Sequence, residues 1–328
     1  MQGKTYNVKA LVEAGFITAF IILIILINIY IPILSIFTNF IFPIPIAILY
    51  IRQNYKVTLI SIAASGIFIA MFYNPISALS SIVLIGLTGI TLGYCIKNKK
   101  EFATTIIFLA GSIAVGIIFY LFVYIMLINK AGIYGLVNKA LLDLKQSMEL
   151  SKGMYEKAGM SSSDIAAMEN IFTIVTPEYI MGIIPAVVVI MSFVSSYVNY
   201  ILAINILKRL RYEVKEIKPI AQWYMNTRIG TLVGIILVMG LLLDRKNMAV
   251  GQYLANSSGL ILQWILCLDG VALITYYLMH RYKVSKKITA LIIIFTAMSR
   301  LSLFYTIMGF IDMIIDFRRL DPYRKLKK

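Results

Sequence analysis

Residues 8–30 read VKALVEAGFITAFIILIILINIY. After Glu13 the next seventeen residues carry no charge, and isoleucine, leucine and phenylalanine dominate them. At 1.5 Å per residue the whole stretch 8–30 covers the ~30 Å hydrocarbon core of a bilayer. The pattern then repeats along the chain, with candidate spans at 8–30, 33–51, 57–73, 76–96, 102–128, 177–207, 229–243, 259–279 and 288–315. The whole sequence agrees with this reading. It has 328 residues, 60% of them apolar and 14% charged, against ~45–50% and ~25% in soluble domains. A water-soluble globular protein, a disordered chain and a disulfide-rich secreted fold are excluded. The fold class is an all-α polytopic membrane protein.

Charge sets the expected topology. There are 31 Lys and Arg against 15 Asp and Glu, a net charge of +16. In a soluble chain that excess points to nucleic acid. Here the basic residues flank apolar runs, so they report orientation and contact with anionic lipid at the cytoplasmic face, with no nucleic-acid partner. With the N-terminus inside and the basic tail counted as cytoplasmic, twenty-three of the 31 basic residues fall on the cytoplasmic side. This places both termini in the cytoplasm of a multi-pass cell-membrane protein, and segment 129–176 outside. One helix over 288–315 would carry the basic tail outside, so the count favours a short-helix hairpin bending near 299–302. The alternative is a single tilted helix.

Two regions depart from plain spans. The second span contains Pro32, Pro43 and Pro45; proline removes a donor and clashes with the preceding turn, so this span is broken or kinked. Segment 129–176 has Val137, Leu141, Leu144 and Met148 at helical spacing, an amphipathic helix. Ser161 to Asp164 reads as a helix start, and Thr176-Pro177-Glu178 as a capped opening of the sixth span. This segment is either a lid over an outward site or a packed surface cap.

Catalytic motifs are missing. There is no P-loop, HExxH or GxSxG pattern, and His280 is the only histidine. Cys95 and Cys267 lack metal or redox spacing. No enzyme, cofactor or metal is expected. The sharpest polar signals are Asp269 in ILQWILCLDGVALITYY and Arg300 in IIIFTAMSRLSLFY. An unpaired charge at the bilayer centre costs at least ~2.5–3.5 kcal/mol. Helical rise puts both near mid-depth, so the two are expected to form an intramembrane ion pair, functional or structural. The ending GFIDMIIDFRR holds Asp312, Asp316, Arg318 and Arg319, an interfacial charge cluster or a site for a partner or lipid headgroup. Asn28, Asn39, Asn199 and Tyr200 are candidates to line an outer ligand pocket. In the first span, Ala10, Ala14 and Ala19 have the small-xxx-small spacing that lets helices approach closely. They serve either internal packing or a docked membrane protein.

These spans, the outer segment after the fifth helix and the Gly-x-x-Asp-x-x-x-Asp-Phe-Arg ending, Gly309 to Arg318, resemble the YybS-like family of uncharacterised bacterial membrane proteins. The resemblance covers nearly the whole chain and implies no activity. The first six spans more distantly resemble the S components of energy-coupling-factor vitamin transporters, through KALVEAGFITAF and FPIPIAIL. That likeness implies two domains. An S-component-like six-helix unit occupies 1–218. A C-terminal addition of two helices, a hairpin and a basic tail occupies 219–328. It also implies that Ala10, Ala14 and Ala19 dock a coupling subunit, and that the protein recognises or takes up a small solute without its own ATPase. The same fold resembles MreD-type cell-wall morphogenesis proteins, which implies the alternative of a non-catalytic scaffold for envelope assembly or sporulation.

Overall fold

The computed structural model describes residues 8–34, 38, 40–72, 74–128, 130–166, 175–215, 217–297, 299 and 301–320. Its regular secondary structure among these residues is all helical. The helices used below are α1 (Val8–Tyr30), α2 (Pro43–Arg52), α3 (Tyr55–Phe72), α4 (Pro75–Lys97), α5 (Phe102–Leu127), α6 (Gly132–Lys157), α7 (Pro177–Arg209), α8 (Thr227–Asp244), α9 (Ala249–His280), α10 (Lys286–Ala297) and α11 (Ser302–Ile315). Among the described residues, seven are long and apolar enough to cross a membrane: α1, α3, α4, α5, α7, α8 and α9. Within the second expected span, helix α2 has ten residues and starts at Pro43, where a fixed φ and a missing donor suit a first turn. The last expected span is two helices, α10 and α11, bent by 110° at a short break.

Local chemistry sets the helix ends. Asn74 caps α4, its side chain accepting from the Ile76 N–H at 2.8 Å; Asn226 caps α8 by accepting from Arg228 N–H at 2.9 Å. The Thr176 hydroxyl accepts from Tyr179 N–H at 3.2 Å at the start of α7. Each satisfies a donor that the first turn leaves unpaired.

The chain forms two compact units. Met1–Leu136 and Met191–Ile217 make one; Val137–Ile190 and Lys218–Lys328 make the other. Most of segment 129–176 and the first part of α7 therefore fold with the C-terminal unit, where the expected boundary at 218 had put them with the first.

In the first unit the apolar interior centres on Ile44, Ala47, Leu92, Leu109, Tyr200 and Ala203. Small hydroxyl residues line the helix contacts. Thr18 on α1 and Ser61 on α3 share a hydrogen bond of 2.8 Å, and Ser61 also donates to the Ala14 carbonyl at 3.4 Å. In the C-terminal unit, α8 and α9 run antiparallel. A Cβ added at Gly240 would lie 2.5 Å from Ala255 N, and one at Gly251 would lie 2.1 Å from Asp244 N.

Candidate functional site

The site is built at the end of α11. Asp316 has φ +55° and ψ 58°, the left-handed conformation that stops a helix, which Asp tolerates better than most residues. Its carboxylate then accepts from Leu320 N–H at 2.9 Å. The chain doubles back, Phe317 N–H donates to Asp312 Oδ1 at 3.0 Å, and Arg318 turns inward.

The Arg318 guanidinium makes four hydrogen bonds and is engaged through all three of its nitrogens. Nε donates to Asp312 Oδ2 at 2.9 Å. Nη2 lies 2.7 Å from both Asp312 Oδ2 and Asp269 Oδ1. Nη1 donates to the Trp223 carbonyl at 2.7 Å and the Ala221 carbonyl at 3.3 Å. The three side chains are only 1–2% exposed. Charge-assisted, forked bonds of this kind are the strong class of hydrogen bond, and they compensate the cost of burying the charges.

Two glycines make the encounter geometrically feasible. A Cβ at Gly270 would sit 1.9 Å from the Tyr305 carbonyl oxygen, and one at Gly309 1.9 Å from that of Leu266. The backbones of α9 and α11 therefore touch at Gly270 and Gly309, as small residues allow between membrane helices. Asp269 adjoins the first glycine and Asp312 lies one turn beyond the second.

Several sequence expectations change here. The partner of Asp269 in the structure is Arg318, while Arg300 lies outside the described residues. The charge cluster at the chain's end and the intramembrane carboxylate form one site. Within that cluster Asp316 serves its own helix end and Arg319 is exposed. The depth differs too: α9 begins ten residues before the expected start, at Ala249. Continuing the register set by Gly240 and Gly251 puts Asp269 level with the first turn of α8. Since α8 has 18 residues, about 27 Å of rise, Asp269 lies at one end of that apolar slab instead of its middle.

The described members of the expected ligand set do not all converge. Asn28, near the end of α1, accepts from the Thr38 hydroxyl. Asn39 lies outside the described residues. Tyr200 is buried beside Phe102, ring centroids 5.5 Å apart. It lines a cavity of about 230 Å³ with Cys95, Lys100 and Thr105. That cavity is at the end of the unit that carries Lys97 and Lys99. Glu13 of α1 is at the same end, through its bond from Gln53, whose carbonyl accepts from Lys97. Asn28 is fifteen residues further along α1, about 22 Å away. Asn199 is buried; its amide donates to the Ser195 carbonyl at 2.9 Å and its Oδ1 has no hydrogen-bond partner.

The cavity is crossed by residues 211–215, held by Lys99–Glu213 at 2.7 Å, by Lys215–Glu101, and by Arg52 Nε donating to the Tyr212 hydroxyl at 2.9 Å. The Lys99 contact holds the Glu213 carboxyl below the usual carboxylate range. The small residues of α1 also divide. Ala10 and Ala14 are buried against the unit's own helices, so a partner has no access to them, and Ala19 is exposed. Among the described residues no three His, Cys, Asp or Glu side chains come together to hold a metal ion.

Comparison with known proteins fits this picture. The chain belongs to the family described as "Predicted membrane protein (DUF2232)", whose model matches residues 19–313. It is 22% identical over 272 residues to "Uncharacterized protein YybS" of Bacillus subtilis (strain 168), covering 82% of this chain and 84% of that protein. No solved structure matches it, so the likeness to S components rests on the sequence features alone.

Proposed function

We propose that this member of the DUF2232 membrane-protein family recognises a small solute and moves it across the membrane without an ATPase of its own. The Asp269–Arg318–Asp312 cluster is its coupling site. The observation that carries this reading is the buried cluster itself, set between the long membrane helix α9 and the end of α11. Ionisable groups in membrane segments are rare and mark ion and substrate paths. In this reading both termini are cytoplasmic, anionic lipid binds the basic inner loops, and the exposed face of α1 around Ala19 meets lipid or a membrane partner.

The test is a screen of the purified protein for thermal stabilisation by water-soluble vitamins, amino acids and organic ions, followed by uptake of any hit into proteoliposomes. Uptake that Asp269→Asn abolishes supports the proposal. A second reading, a non-catalytic scaffold for envelope assembly or sporulation, is favoured by the backbone contact at Gly270 and Gly309, which suits a rigid unit. It predicts no stabilising solute, and full function in cells of a variant whose three cluster residues are all neutral.

A further inference from the structure

The cluster is unbalanced. It buries two carboxylates and one guanidinium, a formal charge of −1. Each nitrogen of Arg318 is already engaged, and Asp269 Oδ2 is buried without a hydrogen bond of normal geometry. The groups that face the Asp269 carboxylate are Arg318, Asp312 and the backbone amide of Met225. On the packed elements, Asp316 is engaged by Leu320, and Lys218, Arg228 and Arg319 have exposed side chains. None of the described residues supplies the missing positive charge. A buried net charge of this kind is costly unless something neutralises it.

We propose that the cluster is a binding site for one unit of positive charge, a proton or a sodium ion, taken at Asp269 Oδ2. This rests on the transport reading and names its coupling ion. The carbonyls of Ala221 and Trp223 already accept from Arg318, which leaves a sodium ion few ligands and makes the proton the better-fitted occupant. Occupancy neutralises the cluster without breaking any of the four hydrogen bonds of Arg318. Release restores the buried charge and favours a conformation in which water reaches it, which is how a coupling ion biases two states.

The experiment uses the full-length protein in nanodiscs. Thermal midpoints of the native protein and of Asp269→Asn are followed from mildly acidic to mildly alkaline pH, in choline chloride and in sodium chloride. The variant keeps a neutral Asp312–Arg318 pair and is expected to fold. If a proton is the occupant, the folded state binds it more tightly than the unfolded state. The native midpoint then falls as pH rises in both salts, and Asp269→Asn lacks that slope. If sodium is the occupant, the native midpoint at alkaline pH rises with sodium but not with choline, again only when Asp269 is present. Parallel behaviour of the two proteins in every series overturns the proposal. Should the variant not fold, infrared spectra of native protein with isotope-labelled aspartate decide. A buried carboxylic-acid band that disappears on alkalinisation supports a proton, and a carboxylate band shifted by sodium supports that ion. Neither signal overturns the site. Solute uptake with a flat stability profile refutes the ion site and leaves transport standing; an ion site in a protein that takes up no solute does the reverse.

Discussion

Replacing Gly309 by alanine adds one methyl group at the tightest point of the C-terminal unit. The new Cβ would lie 1.9 Å from the Leu266 oxygen and 2.7 Å from Gly270 N. Both neighbours are backbone, so no side chain can swing aside. A carbon–oxygen contact needs ~3.3 Å or more, so α9 and α11 must separate by roughly 1.4 Å. Overpacking of this sort costs ~1–3 kcal/mol. The same displacement stretches the Arg318–Asp269 contact from 2.7 Å toward ~4 Å, beyond any hydrogen bond. The total expected loss is therefore about 3 kcal/mol or more. The control is Gly234→Ala in α8, where an added Cβ meets nothing within 4 Å; there alanine is expected to stabilise by up to ~1 kcal/mol. Chemical or thermal unfolding of both variants in one detergent reads the contrast. Equal stability of Gly309→Ala and the native protein would refute the close crossing.

Ala14→Leu should destabilise the protein itself, since Ala14 packs inside against Ser61; a stable variant that merely loses a co-purifying partner would contradict this. A cysteine placed at Ser162 should react with a membrane-impermeant reagent added outside whole cells, and one placed at Lys327 should not; the opposite pattern would invert the proposed orientation. Glu213 titrates low because Lys99 donates to it, so its small contribution holds above the ordinary glutamate pKa of ~4.3 and fades as pH falls below it. Glu213→Gln should therefore flatten the acid side of the stability profile slightly, and high salt should erase the difference because the pair is exposed.

Helix existence was legible because span length and the absence of charge depend on local composition. Seven of the expected spans appear as long helices, and the start of α2 follows from Pro43 and its missing donor. The importance of Asp269 was legible too, because a carboxylate in an apolar run must be compensated. Its partner was not. Depth arithmetic along ideal helices pairs Asp269 with Arg300, and it has no means of seeing that Asp316 turns left-handed and folds Arg318 back. The close approach at Gly270 and Gly309 was equally hidden, because a helix crossing is a pairwise property. Two signals were available: the Gly-x-x-Asp spacing of Gly309 and Asp312, and the glycine directly after Asp269. That Asn28 and Tyr200 occupy opposite ends of their unit was hidden for a simpler reason. Hydrophilicity marks buried polar groups but not which end of a bundle they occupy.

The account turns on Arg318 serving two carboxylates at once, and the unfolding free energies of Arg318→Gln and Asp269→Asn measure this directly. Removing the arginine strands two buried acids, while removing one acid leaves a neutral pair. Arg318→Gln should thus lose at least the ~3–5 kcal/mol of a broken buried pair and Asp269→Asn far less, with stability returning when Asp269→Asn and Asp312→Asn are added to Arg318→Gln. Equal losses in the two single variants, or no recovery in the triple variant, would contradict it.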